Sequence, residues 1–280
     1  ITAVKNGVLQ VSAGANLSSG KTYINGGVLT PGDAATLDAI SANGLVMVGQ
    51  LGTSRYILPA IGFSNAYGNI NGSNQPSVNV PLAGMALAID GLELNGNVTA
   101  DIDLSQVGSG SSRVWVTNAL GLDRTYQGTI LPSSDGNIRL TSGGNTLVVS
   151  GAANRLGGTG SLANLIFGYD HSTPANFAGA IVSQAQGGTV SVRVNNDTTG
   201  TVTIHRGLTV NVNGAINSPL GTGVVTILGG TLNTDNTSAA QFGNTDFRLY
   251  GGSTFLLDNS AVAVANSDRR RQTGTAITLN

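Results

Sequence analysis

Gly229-Gly230-Thr231-Leu232-Asn233 is the stretch that decides the fold, and variants of it recur at residues 26–30 and 187–191. Each time, a glycine turn opens a short strand in which apolar and polar residues alternate, so that one strand face is apolar. Such a unit cannot bury its apolar face alone and must stack on neighbouring units, at a repeat of about 20 residues or more. The repeated stretch therefore predicts an all-β fold, a β-solenoid of stacked coils.

Composition favours the same class and excludes others. The 280 residues include 41 glycines and only 10 % charged residues, against about 7 % glycine and about 25 % charge in ordinary globular domains. Leu, Val and Ile recur at period two, which excludes disorder. A net charge of −1 leaves no electrostatic footprint for nucleic acid. No apolar run approaches the ~18 residues of a membrane-spanning helix.

The strand-and-turn rhythm divides the chain into five segments. Solenoid coils are predicted in residues 1–49, 91–163 and 187–280, and the repeat is clearest in the last of these. Residues 50–90 and 164–186 break the rhythm with proline and aromatic residues, so we predict insertions looped out of the coils, the first also describable as a lateral subdomain. The only trace of helical periodicity lies within the second insertion, at residues 178–186.

A family resemblance adds to this prediction. Residues 217–232 resemble the autotransporter-associated β-strand repeat, whose units read Leu-Gly-x-Gly-x-Val-Thr-x-x-Gly-Gly-Thr-Leu. The match extends over residues 187–280, is partial over 1–49 and 137–165, and is absent from 50–90. The resemblance implies a right-handed parallel β-helix that is displayed on, or secreted from, the bacterial cell surface.

The positions of the carboxylates bear on function, because parallel β-helices also include enzymes that cleave polysaccharides. Asp101 and Asp103 alternate along one predicted strand and share a face, with Glu93 one coil away. Paired carboxylates of this kind can act as acid and nucleophile on a glycoside. Solvent-facing positions on an amphipathic strand explain the same pattern, and no basic or aromatic residues cluster around the pair. We therefore predict that the chain is not an enzyme, with a carbohydrate site at these residues as the alternative.

Metal and cofactor sites are not predicted. Gly157-Gly158-Thr159-Gly160 is similar to the calcium-binding nonapeptide, but Leu162 stands where that motif needs an aspartate oxygen. Clusters such as residues 195–197 leave structural calcium open without supporting it. The two histidines are far apart and cysteine is absent, which argues against a transition metal. Asn196 also opens one of several glycosylation sequons, a modification that the sequence leaves open.

These observations favour a structural role over catalysis. We predict a component of a bacterial extracellular or cell-surface assembly (a filament, a surface layer or an adhesive fibre) that self-associates into a homopolymer. The alternative is a carbohydrate-binding or carbohydrate-cleaving β-helix, such as a lyase or a tailspike-like protein, with cell-surface polysaccharide as its partner. The predicted assembly contacts are the aromatic residues of the two insertions: Tyr56, Phe63, Tyr67, Phe167, Tyr169 and Phe177.

Overall fold

In the computed structural model the chain is a parallel β-solenoid, with one α-helix among the described residues, which confirms the predicted fold class. Coils stack on one another, and each strand pairs with the equivalent strand of the next coil. The structure describes residues 2–5, 8–17, 19–25, 27–48, 50–51, 56–57, 60–63, 69, 85–89, 98–107, 114–118, 123–142, 144–168, 188–213, 218–234, 242–244, 246–257 and 276–279.

The longest sheet, the central sheet, contains eleven parallel strands drawn from the whole length of the chain. In pairing order its strands are β2 (Val8–Val11), β4 (Val28–Pro31), β8 (Ala60–Phe63), β9 (Met85–Ile89), β11 (Val114–Asn118), β14 (Asn137–Leu140), β16 (Asn164–Phe167), β18 (Val202–His205), β20 (Val225–Leu228), β22 (Asp246–Tyr250) and β24 (Ala276–Leu279).

Two further parallel sheets complete the coils. The N-terminal sheet contains β1 (Thr2–Lys5), β3 (Thr22–Asn25) and β5 (Leu45–Val48). The C-terminal sheet contains β12 (Arg124–Tyr126), β15 (Thr146–Val149), β17 (Gly188–Val192), β19 (Leu208–Val212), β21 (Thr231–Thr234) and β23 (Thr254–Leu257). Two short pairs are β10 (Ile102–Asp103) with β13 (Ile130–Leu131), which is parallel, and β6 (Gln50–Leu51) with β7 (Tyr56–Ile57), which is antiparallel.

The strand register gives the length of a coil. Thr226 of β20 pairs with Thr203 of β18 and with Arg248 of β22, so successive coils take 23 and 22 residues. β19 likewise pairs in parallel with β17 and β21. The stacking of coils predicted from the sequence requires strands to pair in parallel one coil apart, and β19 and β20 do so without forming a hairpin with each other.

The glycine pair forms the corner between the central and C-terminal sheets. Gly229 and Gly230 connect β20 to β21, and Gly229 has φ +77°, a conformation that glycine adopts without strain. A Cβ atom at Gly230 would lie 2.5 Å from the carbonyl oxygen of His205 in the preceding coil. The corner therefore needs glycine at both positions, which explains why the pair marks the repeat.

Apolar side chains from successive coils form continuous inward rows. Ile227 stacks between Ile204 and Leu249 in the strand register, and Leu232 lies between Val210 and Phe255. The alternation of apolar and polar residues in β19, β20 and β21 predicts six inward side chains, and all six are at most 2 % exposed: Leu208, Val210, Val212, Val225, Ile227 and Leu232. Burial of apolar surface, worth about 25 cal/mol per Å², thus continues from one coil to the next.

One helix, α1 (Ala34–Ala42), was not predicted from the sequence. Asp33 caps its N-terminus by accepting a hydrogen bond from the Thr36 amide at 2.7 Å, and Leu37 and Ile40 bury its inner side. The predicted trace of helix at residues 178–186 lies outside the described residues. Within the described part of the chain, no helix is long and apolar enough to cross a membrane.

Parts of both predicted insertions belong to the solenoid. β8 and β9 fall within residues 50–90, and β16 falls within residues 164–186, yet all three are strands of the central sheet. All four residues of β8 are buried. A strand buried on both faces, such as β8, lacks the alternation by which a repeat is recognised, whereas β16 alternates between half-buried and buried residues.

Candidate functional site

Asp101 and Asp103 share a face, as the sequence predicted, because Ile102 between them points into the core. The Asp101 carboxylate accepts a hydrogen bond from the Thr129 amide at 2.6 Å. The Asp103 carboxylate accepts from both the amide and the hydroxyl of Ser105, at 3.0 and 2.6 Å. The Asp101 carboxylate therefore links two coils, and the Asp103 carboxylate holds a local turn. Glu93 lies outside the described residues.

The structure brings Tyr126 and Arg155 towards Asp101, and sequence reasoning had identified neither. The Tyr126 hydroxyl is buried and donates to the Ala100 carbonyl oxygen at 2.7 Å. Burial raises the pKa of this phenol, the negative charge of Asp101 raises it further, and Arg155 lowers it only partly. Arg155 donates to the Thr129 hydroxyl at 3.2 Å. The phenol thus stays protonated and bonded to backbone, as in a structural hydrogen bond between coils.

The six predicted assembly aromatics fall into three groups. Phe63 and Phe167 are fully buried at inward positions of the central sheet. The expectation that they contact a neighbouring subunit is therefore not met, because their own chain covers them. Tyr56 lies on the short strand β7. Tyr67, Tyr169 and Phe177 lie outside the described residues.

Asn196 is a buried asparagine that bridges three coils. Its amide oxygen accepts from the Leu156 amide at 2.9 Å, and its amide nitrogen donates to the Pro219 carbonyl oxygen at 2.6 Å. The side chain is 0 % exposed, so the folded chain does not present this sequon for glycosylation. No group of three or more His, Cys, Asp or Glu residues in the described ranges is placed to hold a metal ion.

An ion pair lies beside Trp115 in the central sheet. The Arg139 guanidinium is 5.9 Å from the Trp115 ring centroid and binds Asp135, while it also donates to the Ser133 hydroxyl at 3.2 Å. Desolvation raises the pKa of the Asp135 carboxyl, but hydrogen bonds from Arg139, Ser133 and the Asn137 amide outweigh it and lower that pKa strongly. Asp135 is thus ionised at any neutral or mildly acidic pH and anchors a buried arginine.

The most regular surface is the outer face of the C-terminal sheet. Its first row consists of five threonines in register: Thr146, Thr189, Thr209, Thr231 and Thr254. The second row consists of Thr125, Val148, Ser191, Asn211, Asn233 and Leu256. We call these two rows the threonine face. Two members of the first row, Thr189 and Thr231, directly follow a glycine pair in the sequence, but the sequence alone does not align them with the other three.

The chain matches no protein-family model, no curated protein and no solved structure. The function must therefore be argued from the solenoid and its surfaces.

Proposed function

We propose that the chain is a structural segment of a bacterial extracellular assembly, in which the solenoid serves as a rod. The observation that carries this proposal is the central sheet, whose eleven parallel strands span residues 8–279. A sheet with inward apolar rows in successive coils places distant parts of the chain in a fixed one-dimensional order. The resemblance of residues 217–232 to the autotransporter-associated repeat supports a cell-surface location.

A structural role also fits the use of the polar side chains. Asp103 caps a turn, Asp101 and Asn196 join coils, and Asp135 anchors Arg139. Each of these four groups therefore has a role in the fold. A net charge of −1 also leaves little repulsion between neighbouring copies.

Lateral contacts between rods have a candidate surface on the outer side of the central sheet. Leu228 and Tyr250 are 37 % and 40 % exposed and pair in register on β20 and β22. Adjacent exposed apolar side chains are typical of protein contacts. We place a contact between copies at this pair, and the aromatic residues Tyr56, Tyr67, Tyr169 and Phe177 stay predicted contacts.

Sedimentation velocity over a range of concentrations tests the proposal, with negative-stain microscopy of the same samples. We expect elongated particles that associate as concentration rises, and weaker association after Leu228→Lys with Tyr250→Lys. Leu162→Lys is the matched control, because Leu162 is 80 % exposed on a turn outside the strands. A compact monomer at every concentration would contradict the proposal, as would polysaccharide cleavage that Asp101→Asn abolishes.

A further inference from the structure

The threonine face differs from the rest of the surface in its chemical uniformity. Its first row presents one side chain type on five consecutive strands of the sheet, four half-buried and Thr254 exposed. Neither row includes a charged residue on these strands; Arg193, beyond the end of β17, bonds to Ser191 from the side. The outer face of the central sheet, by contrast, combines Trp115, Arg139 and Arg248 in a single row.

A threonine side chain on a strand holds its hydroxyl and methyl groups in nearly fixed positions. Its β-branched side chain has restricted χ1 freedom in a strand, so hydroxyl and methyl groups repeat with the spacing of the backbone. Neighbouring strands lie about 4.8 Å apart, and the second row follows about 6.7 Å along each strand. The face is therefore a two-dimensional lattice of uncharged groups.

The second row contributes less to contact with solvent. Ser191 is 1 % exposed, and the amide oxygens of Asn211 and Asn233 are shielded from bulk solvent. The regular contact that the face offers to water is therefore the threonine row.

Ice is the solid that presents ordered water at a matching spacing. Hydrogen bonds of roughly 2.75 Å at tetrahedral angles place next-nearest oxygens of ice roughly 4.5 Å apart. Against about 4.8 Å between strands, the mismatch accumulates to only about 1 Å over five strands. We propose that the threonine face binds the surface of ice crystals.

The dimensions of the face argue against other occupants. Five strands and two rows cover roughly 250 Å², whereas a stable protein interface buries about 800 Å² on each partner. A polysaccharide would gain from aromatic rings, and the outward positions of these strands carry none among the described residues. A crystal engages every group on the face at once, so many small contacts add up.

Partition of the protein into slowly growing ice tests this proposal. We expect the unmodified chain to be enriched several-fold in the ice fraction over serum albumin, and Thr209→Lys with Thr231→Lys to reduce that enrichment about tenfold. Thr203→Lys with Thr226→Lys is the matched control, because these threonines pair in register on the outer face of the central sheet. We expect this control to keep the enrichment.

A second variant distinguishes loss of ice binding from loss of folding. Thr231→Tyr introduces a residue that strands favour, and we expect its ring to hold the ice surface away and reduce enrichment as strongly. The proposal is overturned if the unmodified chain is not enriched in ice, or if both lysine pairs reduce enrichment equally. It is also overturned if the threonine-face variants change only self-association or only polysaccharide binding. Because partition is measured on dilute chain, its outcome is separate from whether rods assemble.

Discussion

The first and last coils share the central sheet but build their second side in different ways. In the C-terminal coils a central strand comes first, as β20 does, and Gly229-Gly230 then leads into β21 of the C-terminal sheet. In the N-terminal coils β3 of the N-terminal sheet comes first, and Gly27 leads into β4 of the central sheet. The same sequence phrase thus marks a corner without specifying which sheet follows it.

The helix α1 is a second difference between the N-terminal and C-terminal coils. After β4 the chain forms α1, at the place in the chain order where the C-terminal coils form a strand of their second sheet. Leu37 and Ile40 belong to the core cluster, but the element that carries them is a helix and not a strand that repeats from coil to coil. Ile227, in contrast, has equivalent neighbours in the coils before and after it. In a stacked repeat each coil contributes to the stability of its neighbours. We therefore expect a destabilising substitution in the C-terminal coils to unfold neighbouring coils as well, and one in α1 to unfold only the helix.

The largest expected effect is the loss of the C-terminal coils on Ile227→Asp. A buried carboxylate has no partner in this apolar row, so we expect a loss of more than about 4 kcal/mol in the free energy of unfolding. Limited proteolysis should then cut within residues 188–257 while residues 22–48 stay protected. Thr226→Asp, on the outward side of the same strand, should cost only about 0.5 kcal/mol. A soluble Ile227→Asp chain that resists protease throughout would contradict the expected difference between the C-terminal and N-terminal coils.

Asn196→Ala should have the next largest effect, because it removes the side chain that joins three coils. The Leu156 amide and the Pro219 carbonyl oxygen lose their partner in a buried place, which costs about 2–3 kcal/mol. Urea unfolding should report this loss. Asn145→Ala, at an exposed position before β15, is the control and should leave the unfolding midpoint nearly unchanged. Equal midpoints for both variants would show that the asparagine bridge contributes nothing.

How far the sequence predicted the fold depends on how local the signal is. The glycine pair and the alternating strand around Thr231 identified coils, corners and inward rows correctly, since each feature is set by neighbouring residues. β8 was missed because a strand buried on both faces has no alternation. α1 was missed although Asp33 and the Asn43-Gly44 pair are helix-boundary signals; nine residues are too few for a clear helical period.

The candidate sites were harder to predict than the fold. The sequence predicts surface contacts at Phe63 and Phe167 because aromatic residues in an apparent insertion have no visible partner. Their burial is set by strands in other coils, which no local pattern reveals. The link between Asn196, Leu156 and Pro219 likewise joins residues 23 and 40 positions apart. The threonine face was visible only as a repeated residue until the register aligned it.

Acid should weaken the middle of the rod by a smaller amount through Asp135. Because its pKa in the folded chain lies below the usual value of about 3.9, its stabilising effect is complete above about pH 5 and is lost as pH falls towards the folded-state pKa. The carboxylate is 45 % exposed, so screening limits the effect to about 1 kcal/mol. Unfolding midpoints between pH 6 and pH 2.5 should fall less in Asp135→Asn than in the unmodified chain. An equal fall would exclude this carboxylate as the cause.

The smallest effect is expected at α1, where the N-terminal coils differ from the C-terminal ones. Asp33→Ala removes the acceptor for the Thr36 amide, so the first turn of the helix should fray while the strands stay intact. Hydrogen exchange should become faster in residues 34–37 and unchanged in β20 and β21. Asp33→Asn keeps a capping acceptor and should restore most of the protection, whereas Asp38→Ala alters an exposed position within the same helix and controls for loss of charge.

Hydrogen bonds from Thr36 lower the pKa of Asp33. The cap is therefore complete above the usual carboxyl pKa and is lost as pH falls through the lowered one. If Asp33→Ala instead exposed amides of the C-terminal coils, α1 would be coupled to the whole rod, and the two regions would not differ in the way the structure indicates.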